Sequence, residues 1–161
     1  MRSDQEINRA IEQYADTVMR ICLVHLKNHA DTEDIFQTVF LKYAMHSGDF
    51  ENPEHEKAWL IRVTINACRD LLRSFFRSRS VPLHELGEIA SYDGEPHNEI
   101  LDAVLKLPEK YRQVLYLHYY EDYTAPEIGK ILGKKPNTIY TLLTRGRQLL
   151  KHELGGEENE G

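Results

Sequence analysis

No stretch of this chain is apolar for the about 18 consecutive residues that a membrane-spanning helix requires. The opening MRSDQEINRA also lacks the basic-then-apolar order of a secretory signal, so a soluble, cytoplasmic protein is expected. Cysteine is scarce: Cys22 and Cys68 stand far apart, without metal-ligand spacing, and read as reduced core thiols. The eight histidines are scattered, with no HExxH and no Cys/His cluster, so nothing anchors a metal. GxxxxGK[ST], GxGxxG and GxSxG are missing too, which removes the phosphate-cradling loop, the dinucleotide turn and the nucleophile elbow. Catalytic residues, cofactor, metal and small-molecule substrate are all expected to be absent.

What the chain does contain is segregated charge. Its 161 residues, 41% hydrophobic, can bury one modest core or two small helical ones, and the pattern fits two. The formal net charge of -6 hides an alternation. Between Ala58 and Ser80 stand Arg62, Arg69, Arg73, Arg77 and Arg79 against Asp70 alone; between Val81 and Asp102 there are only acids. From Lys130 to His152 the charged residues are Lys130, Lys134, Lys135, Arg145, Arg147 and Lys151, with no acid among them. A solvated helix ordinarily mixes signs, whereas basic blocks suit a protein that meets phosphates at two places.

The stretch Asp122 to Lys151 reads as two short helices joined by a tight turn. Thr124 followed three residues on by Glu127 is a capping-box pattern that opens the first. Ile128, Ile131 and Leu132 share its inner face, and Gly133 supplies a left-handed stop. Pro136 suits the first turn of the second helix. There Ile139, Leu142, Leu143, Gly146 and Leu150 recur on one side, with Gly146 letting a backbone come close. Asn137, Tyr140, Thr141, Thr144, Arg145, Gln148 and Lys151 are left facing outward, a polar and basic face of the kind that reads DNA. The bland alternative is an amphipathic hairpin with a solvated face, and the one-signed charge weighs against it.

Upstream, Asp4 to about His29 reads as one long amphipathic scaffold helix. Asp31 can cap a second, with Glu33 and Asp34 in its first turn and Ile35, Phe36, Val39, Phe40 and Tyr43 as its apolar residues. Asn52 and Pro53 start a third, running to about Phe76 or Arg77. On it Trp59, Arg62, Asn66, Arg69, Arg73 and Arg77 form one stripe, while Leu60, Ile61, Ile65, Cys68, Leu71, Leu72 and Phe75 turn to the core. An arginine stripe ending in an aromatic offers cations for phosphates and a face for unstacked bases, as melted nucleic acid requires; the plain alternative is a solvated arginine face. Ser78 to about His97, with two prolines and acids from Val81 onward, reads as an extended, mobile linker. Helical pattern resumes at Asn98, Pro108 opens a further helix, and His118 on it is expected to pack or sit at the surface. The closing GGEENEG reads as a frayed tail.

Three segments in this order, DTEDIFQTVFLKY, AWLIRVTINACRDLLR and LPEKYRQVLYLHYYEDYTAPEIGKILGKKPNTIYTLLTRGRQLL, resemble the sigma factors of bacterial RNA polymerase in their small extracytoplasmic-function group. The resemblance covers nearly all of the chain. It implies an all-α protein of two small helical domains joined by a flexible acidic linker. Residues 1–77 would serve core polymerase and the minus 10 element, 78–97 would be the linker, 98–154 a helix-turn-helix domain for the minus 35 element, and 155–161 an acidic tail. The implied partners are core RNA polymerase, promoter DNA and a membrane-anchored anti-sigma factor.

Asp34, Gln37, Phe40 and Leu41 match the helix that docks on the polymerase clamp in such factors. Phe50, Glu51 and Asn52 match the loop that captures a flipped minus 10 base, with Trp59, Arg62, Asn66 and Arg73 beside it and Arg69 on the same stripe. Tyr140, Thr141, Thr144, Arg145 and Arg147 match the minus 35 reading helix, and Asn137 and Gln148 share its outer face. The loop acids Asp49, Glu51, Glu54 and Glu56 are expected to meet base edges or solvent. The chain departs from the family at Tyr140, Thr141 and Leu142, where a basic residue and then Ser-Arg are common, and at Lys135, where the usual cap is serine. Fewer cations at the base edges imply weak intrinsic duplex affinity and an altered sequence preference. The rival reading is an autonomous helix-turn-helix regulator, which would need a dimerisation surface or sensor domain where this chain has its arginine stripe.

Overall fold

The three-and-four apolar spacing resolves into helices throughout. The structure, a computed structural model, describes residues 1–26, 29–78 and 99–155. Among these there is no strand, and seven helices follow in order: α1 (Asp4–Leu26), α2 (His29–Met45), α3 (Pro53–Ser78), α4 (Glu99–Leu105), α5 (Glu109–Tyr119), α6 (Ala125–Leu132) and α7 (Pro136–Gly155). The chain divides into two compact units, Met1–Tyr92 and Asp93–Gly161. The body of the expected linker, the start at Asn98 and the tail beyond Gly155 lie outside the described residues, as do the side chains of Phe75 and Arg77. No helix of the described residues is long and apolar enough to cross a membrane.

In the first unit α1, α2 and α3 pack on one another. Tyr14, Val18, Cys22 and Leu26 of α1 meet Ile35, Val39, Phe40 and Tyr43 of α2 and Leu60, Ala67 and Cys68 of α3. Both cysteines are buried and neither is in a disulfide, as their place on apolar faces suggested. The break between α1 and α2 differs from expectation: α1 ends at Leu26, and His29 already belongs to α2. Two amphipathic runs nearly abut here, so the periodicity continues across the break. Asp31 consequently sits within the first turn of α2, where its charge favours the helix start, rather than at the cap.

In the second unit α5 packs on α4 and α7, and α6 packs on α7. Val104, Tyr111, Val114, Leu115, Leu117, Ile128, Ile139 and Leu143 form its buried centre. Arg112 is buried beside them; its Nη1 donates to the Leu107 carbonyl at 3.1 Å, closing the turn between α4 and α5. Burial holds the Arg112 guanidinium below the ordinary arginine range, with Glu109 acting in the opposite direction.

Candidate nucleic-acid and polymerase interfaces

The helix pair α6 and α7 is set by local chemistry. The Thr124 hydroxyl accepts the Glu127 N–H at 3.3 Å, and the Glu127 carboxylate accepts the Thr124 N–H at 2.9 Å, completing the capping box. Those bonds hold the Glu127 carboxyl below its usual range. Gly133 ends α6 in the left-handed region at φ 70. A second glycine fixes the tightness of the turn: a Cβ on Gly129 would lie 2.6 Å from the Lys134 carbonyl oxygen. Sequence reading singled out Gly133 and passed over Gly129, whose constraint comes from the close backbone approach.

α7 buries Ile139, Leu143 and Gly146 and exposes Asn137, Tyr140, Thr141, Thr144, Arg145 and Gln148. These six form one continuous outer face. The neighbour of Gly146 is the Leu115 side chain, 3.2 Å from where a Cβ would stand, and not a backbone as expected. Arg147 is exposed but engaged: its Nε donates to the Tyr119 hydroxyl at 2.5 Å, and its guanidinium lies 5.8 Å from that ring centroid. It therefore borders the outer face rather than standing at its centre. His118 packs with its Nδ1 2.8 Å from the Tyr123 carbonyl oxygen.

In the first unit the α3 stripe is realised, with Arg62, Asn66 and Arg73 exposed and Arg69 half-buried. Arg73 reaches Asp70 at 3.5 Å, an exposed pair of little energetic weight. Phe50, Asn52 and Trp59 hold the loop between α2 and α3. The Asn52 side-chain oxygen accepts the His55 N–H at 2.8 Å and so caps α3. Trp59 packs 4.6 Å from the His46 ring and 5.7 Å from Phe50. Phe50 lies parallel to Tyr43 at 6.2 Å and meets the edge of His55 at 5.3 Å.

Glu56 departs from expectation. It is 6% exposed and faces neither base edges nor solvent. Its Oε2 accepts from Arg9 Nη2 at 2.9 Å and from the Tyr43 hydroxyl at 2.7 Å, tying α1, α2 and α3 together. Burial alone would raise its pKa; the hydrogen bonds from Arg9 and Tyr43, with the Arg9 charge, outweigh that and hold it below the usual value. The Tyr14 hydroxyl nearby is pushed up to about 12, first by burial and then by the Glu56 charge. On α2, Asp34, Gln37 and Leu41 share an exposed face with Met45, and Leu41 is 65% exposed. Phe40 does not join them. It is 5% exposed and lies in the core, where its ring packs 4.8 Å from that of Phe36.

The N-terminal three-helix unit with its arginine stripe and the C-terminal helix-turn-helix unit are each matched by a family model. Sigma-70 region 2 matches residues 10–78, and sigma-70, region 4, matches residues 97–150. The chain belongs to the sigma-70 family. It is 29% identical to the ECF RNA polymerase sigma factor SigW of Bacillus subtilis (strain 168), over 89% of this chain and 86% of that one. It is 28% identical to the RNA polymerase sigma factor SigV of the same strain, over 92% and 90%. Its fold is similar to that of the sigma factor RpoE, solved in complex with the anti-sigma factor NepR from Bartonella quintana, with a TM-score of 0.73 and 16% identity over 95% of this chain and 99% of that one. The protein is thus an RNA polymerase sigma factor of the extracytoplasmic-function group. In this sigma factor α1 to α3 carry region 2 and α4 to α7 carry region 4. Sequence reading missed the Arg9–Tyr43–Glu56 network; the only trace of it was the pair of acids, Glu54 and Glu56, in the first turn of an arginine-rich helix.

Proposed function

We propose that this sigma factor acts in the cytoplasm, docks on core polymerase through the exposed α2 face of Asp34, Gln37 and Leu41, and divides promoter recognition between its two units. In this reading Arg62, Asn66, Arg69 and Arg73 follow the melted non-template strand at the minus 10 element, beside the loop held by Phe50, Asn52 and Trp59. Asn137, Tyr140, Thr141, Thr144, Arg145 and Gln148 enter the major groove at the minus 35 element, with Arg147 flanking. The observation that carries the reading is the outer face of α7, which is continuous, exposed and free of acids, after a turn whose backbone comes close enough to Gly129 to crowd any Cβ there. An anti-sigma protein that sequesters the factor belongs to the same proposal, supported by the likeness to a factor solved with one.

Transcription in vitro with core polymerase and a randomised promoter library tests the proposal. It expects starts that depend on this protein and share sequence at both elements. Starts that share sequence at only one element would refute the division.

A further inference from the structure

Arg2 lies before the first helix yet is enclosed, its side chain 12% exposed. Its backbone N–H donates to the Ala44 carbonyl at 2.9 Å, at the end of α2. Its Nη2 donates to the Gly48 carbonyl at 2.7 Å, in the loop before α3, and its Nη1 pairs with Glu6 at 3.2 Å. The guanidinium carbon stands 4.7 Å from the ring centroid of Tyr43 and 4.9 Å from that of Phe50. One cation thus serves two parallel rings, one of them fully buried and the other carried by the loop.

We infer that Arg2 is a positioning residue that holds the Gly48–Asn52 loop in its base-receiving shape before any nucleic acid arrives. The inference rests on the proposed reading that this loop meets the unpaired minus 10 base. Exposed loops of small and acidic residues are ordinarily mobile, and an acidic loop is repelled by phosphate. Ordering such a loop at the moment of capture would subtract from the interaction that must already offset unstacking of the base. Arg2 moves that ordering into the folded protein. It ties Phe50 to Tyr43, and the Tyr43 hydroxyl ties both to Glu56 in the first turn of α3. Acidic side chains at the loop surface can then stay clear of the backbone phosphates, because the loop is shaped from beneath by a cation and not from above by the strand.

The test uses the full-length factor with core polymerase and compares Arg2→Ala and Arg2→Lys with the parent chain. Arg2→Lys keeps a cation over the rings and loses the fork that reaches Gly48. Transcription is measured on duplex promoters differing at single minus 10 or minus 35 positions, together with hydrogen exchange of the loop amides in the free protein. Arg2→Ala should lower discrimination at one minus 10 position by roughly fivefold to tenfold, leave minus 35 preference unchanged and speed exchange from Gly48 to Asn52 while the α1 and α3 amides hold. Arg2→Lys should fall between. A uniform loss at all positions, or faster exchange throughout the unit, would mark Arg2 as a structural residue only and overturn the inference. Grafting the loop of a relative with different promoter preference separates the two layers. If the graft leaves minus 10 preference unchanged, the reading of the loop fails and the inference with it. If the graft changes preference while Arg2→Ala alters neither discrimination nor exchange, the role of Arg2 alone is refuted.

Discussion

Glu56 shows what a single residue can conceal. In the sequence it is one of four acids around a loop, and local pattern gives no reason to separate it from Asp49, Glu51 and Glu54. Its partner Arg9 is 47 residues away, so only the fold reveals that the carboxylate is internal. Because its native pKa is lowered from 4.5, its stabilisation is present in full above about pH 4.5 and is lost as the pH falls through the depressed native value. Acid titration followed by circular dichroism should show that loss. Glu56→Gln should cost about 1.5–3 kcal/mol at neutral pH and flatten the dependence below pH 4.5. The glycines make a second contrast. Gly129→Ala drives a methyl into a backbone carbonyl, whereas Gly146→Ala meets the flexible end of Leu115. Urea unfolding should show Gly129→Ala destabilised by about 1–3 kcal/mol and Gly146→Ala by less.

Among the elements, α6 and α7 were the most legible, because a capping box, a left-handed glycine and a first-turn proline are instructions written within four residues of where they act. The boundary between α1 and α2 was the least legible, since no breaker separates two helices of similar period. α3 was legible as a stripe with Trp59 at its end, but the packing of that end was not: Trp59 and Phe50 pack with each other and with His46, contacts that spacing along one helix cannot disclose. On α7, Arg145→Ala should weaken recognition upstream by about 1–3 kcal/mol if the guanidinium contacts a base edge. Transcription from a pre-opened template should then be unaffected, and equal losses on duplex and pre-opened templates would count against the assignment. On α2, Asp34→Arg should abolish co-purification with core polymerase while leaving the melting temperature within about 1 °C, as expected for an exposed position. Normal binding by that variant would show that the docking face lies elsewhere.

For the molecule as a whole, charge distribution governs behaviour before polymerase is met. A chain of net charge -6 that still carries stripes of cations on α3 and α7 attracts duplex DNA locally and repels it at a distance. The free factor should therefore show no specific gel shift at physiological salt, whereas its complex with core polymerase should, with an affinity that falls as salt rises. Tight, specific binding by the lone protein would show that its acidic charge does not hold the free factor off DNA. The two-unit organisation was legible from the alternation of basic and acidic blocks, which no single core would require. The outer face of α7 carries one more implication, for descent rather than mechanism. Its six exposed positions support none of the burial beneath them, so substitutions there should shift stability by only about 0.5 kcal/mol or less. A duplicated gene could accordingly drift to a new set of promoters one residue at a time, without first acquiring compensating changes, while Gly129 and the Thr124–Glu127 pair stayed fixed.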